Sequence, residues 1–261
     1  MLLDCVLTSC NLNKLYLDFI PYFIKSWKIL YPEIDVKIIL ISSYIPDEYK
    51  EYSDNIICYS HPDENISTSF ISQIIRIFYP CLLRNYKNGI VISDIDMIPM
   101  NSIYFTKNIE KYTDDKFIYL RNVLFEYNEI AMCYNVATSD CWGDIMKIQN
   151  IEDIHSRIKD VNDSIKYVDG HNQSGWNTDQ LYLYNRIFDW DKKSGKFVFL
   201  KDDETKFNRL DRFTFNLNDS SLIEKIKNGE YTDYHCLRPF KTFERENNQI
   251  LNYLSEIAND T

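Results

Sequence analysis

The chain has 261 residues, of which 45% are hydrophobic, enough for a sizeable core and too many for wholesale disorder. Its formal charge of −10 argues against nonspecific nucleic-acid binding, which needs a basic face, and against electrostatic attachment to anionic lipid. With only 6 glycines and 7 prolines and no Gly/Ser-rich linker, the chain reads as one α/β domain over residues 1–261.

Leu2 to Thr8 predicts a buried strand, followed by a polar turn, Ser9-Cys10-Asn11-Leu12-Asn13. Apolar residues at helical spacing predict a helix from Leu15 to Leu30, with Pro21 as a kink. Val36 to Ile41 reads as a second strand, Pro46 to Tyr52 as a loop or short helix, and Asn55 to Tyr59 as a third strand. This β-α-β order with short connections predicts parallel strands joined by right-handed crossovers. Ser67 to Leu83 predicts a helix opened by Ser and Thr and kinked or closed by Pro80. A short, fully buried strand, Ile90 to Ile92, comes next, because a β-branched run bounded by glycine suits the middle of a covered sheet.

Beyond Pro99 the pattern is less regular. Lys116 to Leu120 and Ala131 to Ala137 are strand candidates, and Cys141 to Ile148 is a short helix. Ile151 to Val168 is polar and fits no period, and Asp169 to Thr178 is a loop rich in Gly, Asn and Ser. Asp179 to Phe188 predicts a helix and Lys196 to Leu200 a strand. Leu222 to Asn228 predicts a helix stopped by Gly229, Thr232 to Cys236 a short strand or turn, and Phe243 to Ala258 a final helix.

The seven cysteines are odd in number, scattered and without a C-x-x-C, which suits reduced, buried thiols rather than a disulfide framework or a zinc site. No run of 18 apolar residues occurs, so no transmembrane helix is expected. Residues 1–8 are too short for a signal peptide, and the expected location is cytoplasmic.

The most informative stretch is Gly89-Ile90-Val91-Ile92-Ser93-Asp94-Ile95-Asp96-Met97-Ile98-Pro99. It places Asp94 and Asp96 at the carboxyl end of a buried strand, where ligands bind in open α/β sheets. Two carboxylates that close together repel unless a cation lies between them, and Mg²⁺ or Mn²⁺ prefers oxygen ligands. The alternative has one Asp capping the next turn and the other solvated. His235, flanked by Asp233, Cys236, Arg238 and Pro239, reads either as a metal ligand or as a core histidine bonded to backbone. Arg76 stands among Ile74, Ile75, Ile77 and Phe78 and either snorkels to solvent or reaches a buried anion. Arg238 and Lys241 are further candidates for a diphosphate. Asp179, in Trp176-Asn177-Thr178-Asp179-Gln180, is either a helix-start residue or a general base whose pKa is raised beside an indole. Trp176 and Trp142 either stack on a sugar or nucleotide ring or belong to the core.

Ser93 to Pro99 resembles the DXD segment of GT-A-fold, nucleotide-sugar-dependent glycosyltransferases. Leu7-Thr8-Ser9-Cys10-Asn11 with its following helix looks like the first β-α unit of those enzymes, and Ser72 to Pro80 is similar to the helix before their DXD strand. Asp233-Tyr234-His235 looks like the late histidine of their metal site, and Trp176 to Gln180 falls where they place an acceptor-side or catalytic carboxylate.

The resemblance implies a single GT-A-like domain with a mostly parallel, Rossmann-like sheet flanked by helices. Residues 1–100 would form the nucleotide-binding half, and residues 101–261 the acceptor half with the late metal-ligand segment. It further implies Mn²⁺ or Mg²⁺ on Asp96, His235 and Asp94, the last directly or through water, and a nucleotide-sugar donor, UDP-sugar in preference to GDP-sugar. Thr8, Ser9, Asn11, Arg76, Asp94, Arg238 and Lys241 would contact the donor. Trp176, Asn177, Gln180 and Trp142 would face a glycan or other hydroxyl acceptor, with Asp179 as the base in an inverting enzyme. The rival readings are an inactive carbohydrate-binding or interaction protein of the same fold, and a phosphohydrolase using D-x-D. That last fold carries its motif on the first strand, whereas here the motif follows about the fourth.

Overall fold

The computed structural model describes residues 1–170 and 172–259. His171, within the predicted loop 169–178, lies outside the described residues, as do Asp260 and Thr261.

Strand β1 (Leu3–Asn11) lies third in a seven-stranded sheet. On one side it pairs in parallel with β2 (Asp35–Ile41), which pairs in parallel with β3 (Ile56–Tyr59). On its other side it pairs in parallel with β4 (Gly89–Ile92). The chain therefore runs outward from β1 and returns to β1's opposite flank. The carboxyl ends of β1 and β4 form a topological switch point, the usual place for a ligand crevice.

Strand β5 (Met97–Pro99) leaves this sheet. Strands β6 (Phe117–Tyr119) and β7 (Asn135–Thr138) extend it, β7 running antiparallel to both β4 and β6. Edge strand β8 (Phe197–Phe199) is parallel to β6. Both faces are covered, so β1 alternates between two apolar clusters, Val6 and Cys10 facing one and Cys5 and Leu7 the other.

Helices α1 (Lys14–Leu17) and α2 (Ile20–Leu30) replace the single predicted helix 15–30. Pro21 sits in the first turn of α2, where its missing N–H costs nothing, so it starts a helix rather than kinking one. Helix α3 (Thr68–Phe78) is capped by the Ser67 side chain, and Pro80 falls in the short 3₁₀ turn that closes it. Its apolar face, with Phe70, Ile71, Ile74, Ile75 and Phe78, packs against the sheet. After the short α4 (Tyr104–Lys107), α5 (Ser139–Met146), α6 (Ile151–Ser164) and α7 (Thr178–Ser194) cover the same face. The polar stretch after Ile151 is helical because Asn150 and Asp153 form a capping box and Ile154, Ile158 and Val161 supply a buried stripe.

Beyond α8 (Asp202–Thr205), β9 (Arg209–Asp211), α9 (Ser220–Lys227) and β10 (Asp233–His235) lead to α10 (Glu244–Asn259), which packs with α2 on the opposite face. β10 joins β5 antiparallel and β9 parallel in a second, three-stranded sheet. No helix among the described residues is long and apolar enough to cross a membrane.

Candidate functional site

The small sheet is what assembles the site. After β4 the chain turns tightly, Ser93 donating to the Leu7 carbonyl (3.0 Å) and Met97 to the Asp94 carbonyl (3.1 Å). This turn presents Asp94 and Asp96 before β5 begins. The β10 register then sets His235 opposite Met97, and Cys236 N–H donates to the Asp96 carbonyl (2.9 Å). The β9 register sets Asp211 opposite His235. Two ladders of three residues thus bring together side chains separated by more than a hundred positions.

Two charged groups result. In the first, Arg76 bonds Asp94 through Nη1 and Asp179 through Nη2, the latter at 2.8 Å. Asp179 Oδ1 also accepts from Gln73 Nε2 (3.0 Å) and from its neighbour's amide, Gln180 N (2.9 Å). Burial pushes the Asp179 carboxyl up, and Arg76 and Gln73 only partly offset this. Burial acts the same way on Asp94, but there the Arg76 guanidinium prevails, with the positive potential of His235 and Arg209, and holds the carboxyl below its usual range.

In the second group Asp96 Oδ2 accepts from Arg212 Nη2 (2.7 Å) and Arg238 Nη1 (3.3 Å), and His235 Nε2 stands 3.8 Å from the same oxygen. Tyr16 OH holds Arg238 at 2.9 Å. His235 Nδ1 lies 3.1 Å from Asp211 Oδ2. Burial, followed by the Asp96 and Arg212 charges acting in opposite senses, leaves the His235 pKa below the ordinary imidazole value. That direction favours the neutral ring. With its proton on Nδ1 toward Asp211, its Nε2 lone pair faces a carboxylate oxygen.

That arrangement fits a divalent cation. A carboxylate oxygen and an imidazole nitrogen 3.8 Å apart are donors of the types that Mn²⁺ accepts, close enough to serve one ion. Among the described residues no third His, Cys, Asp or Glu joins them. Mg²⁺-type ions commonly take only one or two protein carboxylates and complete their shell with water and substrate phosphates. Asp96 and His235 would hold the ion, with Asp94, whose Oδ1 is bonded to Arg76, contributing directly or through water.

The structure corrects several expectations. Asp179 is 1% exposed, with both oxygens engaged by Gln73, the Gln180 amide and Arg76, so an acceptor hydroxyl has no open approach to it. It positions Arg76 and, through it, Asp94. Trp142 is wholly buried and packs edge-on against Phe117 (4.9 Å), a core residue with no face for a sugar. Thr8 is wholly buried in the sheet, its hydroxyl without a hydrogen-bond partner. Lys241 lines a cavity of about 370 Å³ with Asp18, Glu48 and Glu244 rather than joining the Asp96 group.

Ser9 and Asn11 are tied to α3, Ser9 Oγ donating to the Ser72 carbonyl and Asn11 Nδ2 to Thr68 and Ser69. Trp176 is half-buried, and its carbonyl accepts from Gln73. Asn177 donates to Glu129 at 2.6 Å, and the Gln180 carbonyl accepts from Ile130 N. Sequence reasoning missed Tyr16, Gln73, Asp211 and Arg212. Only Gln73, three residues before Arg76 on the same helix, had a local signal.

No protein-family model matches the sequence, and no curated protein matches it. Solved structures do resemble it in fold. The glycosyltransferase GlyE of Streptococcus pneumoniae TIGR4 superposes with a TM-score of 0.53 at 13% identity, over 100% of this chain and 63% of GlyE. The chain therefore spans less than two thirds of GlyE's length. An active-site mutant of LgtC superposes with a TM-score of 0.50 at 11% identity, over 98% of this chain and 95% of LgtC. At such identity the likeness establishes architecture alone: the chain has a GT-A-like glycosyltransferase fold, with a mixed, mostly parallel central sheet flanked by helices.

Proposed function

We propose that this chain is a metal-dependent glycosyltransferase. It would move a sugar from a nucleoside-diphosphate sugar, a UDP-sugar in preference to a GDP-sugar, to a glycan or other hydroxyl acceptor. The observation that carries this reading is the meeting of Asp96 and His235 with Arg212 and Arg238 at the switch-point end of β1 and β4.

A diphosphate leaving group gathers negative charge as the glycosidic bond breaks. A bound Mn²⁺ or Mg²⁺ supplies a Lewis acid for that charge. The protein's own part is preorganisation. Asp211 orients His235, and Tyr16 holds Arg238 so that a fixed cation already faces the leaving group. Asp179 and Gln73 pin the helix α3 face that carries Arg76.

The test is a thermal-shift series with Mn²⁺, UDP, UDP-sugars and GDP-sugars, singly and combined. A ligand at 100 times its Kd raises stability by about 2.7 kcal/mol, so binding is easily read. Cation and UDP-sugar together should raise the melting temperature, and Asp96→Asn should abolish the joint effect. No shift with any nucleotide sugar would reject the proposal. Binding without turnover of any donor would instead favour a carbohydrate-binding or interaction protein of this fold.

A further inference from the structure

Arg212 is the least expected member of the site. Its side chain is only 7% exposed, it bonds the one Asp96 oxygen that also faces His235, and its Nε and Nη1 are buried without a hydrogen-bond partner. A guanidinium bonded to a carboxylate through Nη2 (2.7 Å) but with the three N–H groups on its other two nitrogens unsatisfied is incompletely used. A cation held by Asp96 and His235 would compete with it for the Asp96 carboxylate. Arg238, 3.3 Å from that oxygen, adds a second positive charge. Like charges packed this closely in a shielded site repel strongly.

From this geometry we infer that Arg212 is a resident counter-cation. It holds Asp96 while the site is empty of ligand, and it is transferred to the phosphate oxygens of a nucleoside diphosphate when the divalent cation takes its place on Asp96. The inference rests on the proposed cation site and specifies how that site is filled. A cation arriving alone must displace Arg212 and leave its charge unmatched. A diphosphate arriving alone finds the guanidinium engaged. Arriving together, they satisfy every charge, because Arg212 Nη2, released from Asp96, completes with Nη1 or Nε a fork for phosphate oxygens. Cation and nucleoside diphosphate therefore bind cooperatively, and the coupling runs through this one side chain.

The experiment measures Mn²⁺ binding to the full chain by electron paramagnetic resonance of the free ion, with and without UDP. The proteins are wild type, Arg212→Gln, Arg212→Lys and Asp96→Asn, each checked for a cooperative thermal transition. In wild type, UDP should tighten Mn²⁺ binding about 10-fold or more, and Mn²⁺ should tighten UDP binding equally, since coupling is reciprocal. Arg212→Gln should bind Mn²⁺ alone about 10-fold more tightly than wild type and lose most of the enhancement by UDP. Arg212→Lys keeps the charge without the fork and should fall between the two; it carries the test should the Gln variant not fold.

Unchanged affinity for Mn²⁺ alone in these variants, or full enhancement by UDP, overturns the role of Arg212. Mn²⁺ binding that survives Asp96→Asn at wild-type strength overturns the cation site itself, a distinct result.

Discussion

Arg76 lies between Asp94 and Asp179 with its side chain 13% exposed, against 30% and 1% for the two acids. Truncating it leaves a buried carboxylate without a counter-charge, a change that typically costs about 3–5 kcal/mol. Arg76→Leu should lower the unfolding free energy by that amount in urea titrations. Adding Asp179→Leu should restore part of it, because the second change removes the charge that the first stranded. Strictly additive losses would show that the pair is not coupled. Single residues also govern the thiols. Burial pushes Cys5, Cys10, Cys81 and Cys141 up to about 12, and the same cause raises Cys58, Cys133 and Cys236. A raised pKa leaves less of the reactive thiolate at pH 8. Of the seven free cysteines only Cys58, on the edge strand β3, is exposed. A disulfide-exchange dye at pH 8 should therefore titrate one thiol promptly in native protein and seven after denaturation. A second prompt native thiol would contradict this burial pattern.

At the scale of elements, β4 depends on close approach to its neighbours. A Cβ at Gly89 would lie 2.9 Å from Val136 Cγ1 on β7 and 3.0 Å from the Leu2 carbonyl. Gly89→Ala should cost about 1–3 kcal/mol, the usual penalty of overpacking, and lower the melting temperature. An unchanged melting temperature would mean that β1 and β7 yield at no cost. This crowding is also why β4 was legible. A β-branched run behind a glycine can be little but a buried strand, and the β1–β3 unit, α3 and α10 announced themselves by equally strong periods. The second sheet did not. Strands β5 and β9 have three residues each, too few for any period to register. They exist because β10 pairs with both. Asp94, Asp96 and His235 could thus be nominated from their types and context, whereas Asp211 and Arg212 acquire their roles only through the β9–β10 register. Asp179 shows the opposite error, a residue type suited to base chemistry that is buried and bonded to Arg76, Gln73 and the Gln180 amide.

For the whole molecule, the formal charge of −10 makes stability depend on how its acids are partnered. In the site, Asp94, Asp96, Asp179, Asp211 and Asp233 each touch an arginine or a histidine. Folding holds Asp94 and Asp211 below the ordinary carboxyl value of 3.8. In each, burial opposes the shift and is outweighed, by Arg76 for Asp94 and by the Phe213 amide and His235 for Asp211. An acid whose folded pKa is depressed contributes stability that is fully present above its unfolded value. That contribution is lost as pH falls through the folded value, because the unfolded chain then binds more protons. Asp179 has the opposite sign, since its raised pKa favours folding below 3.8 and that gain disappears as pH rises through the folded value. Asp94 and Asp211 thus push the stability curve downward on acidification, while Asp179 resists. Unfolding free energies measured in urea from pH 7 to pH 3 should therefore decline, most steeply below pH 4. Asp94→Asn removes one depressed acid and should be less stable than wild type at pH 7, yet decline more gently below pH 4. Parallel curves for the two proteins would show that Asp94 titrates alike in the folded and unfolded chains and that its bond to Arg76 contributes nothing to the fold.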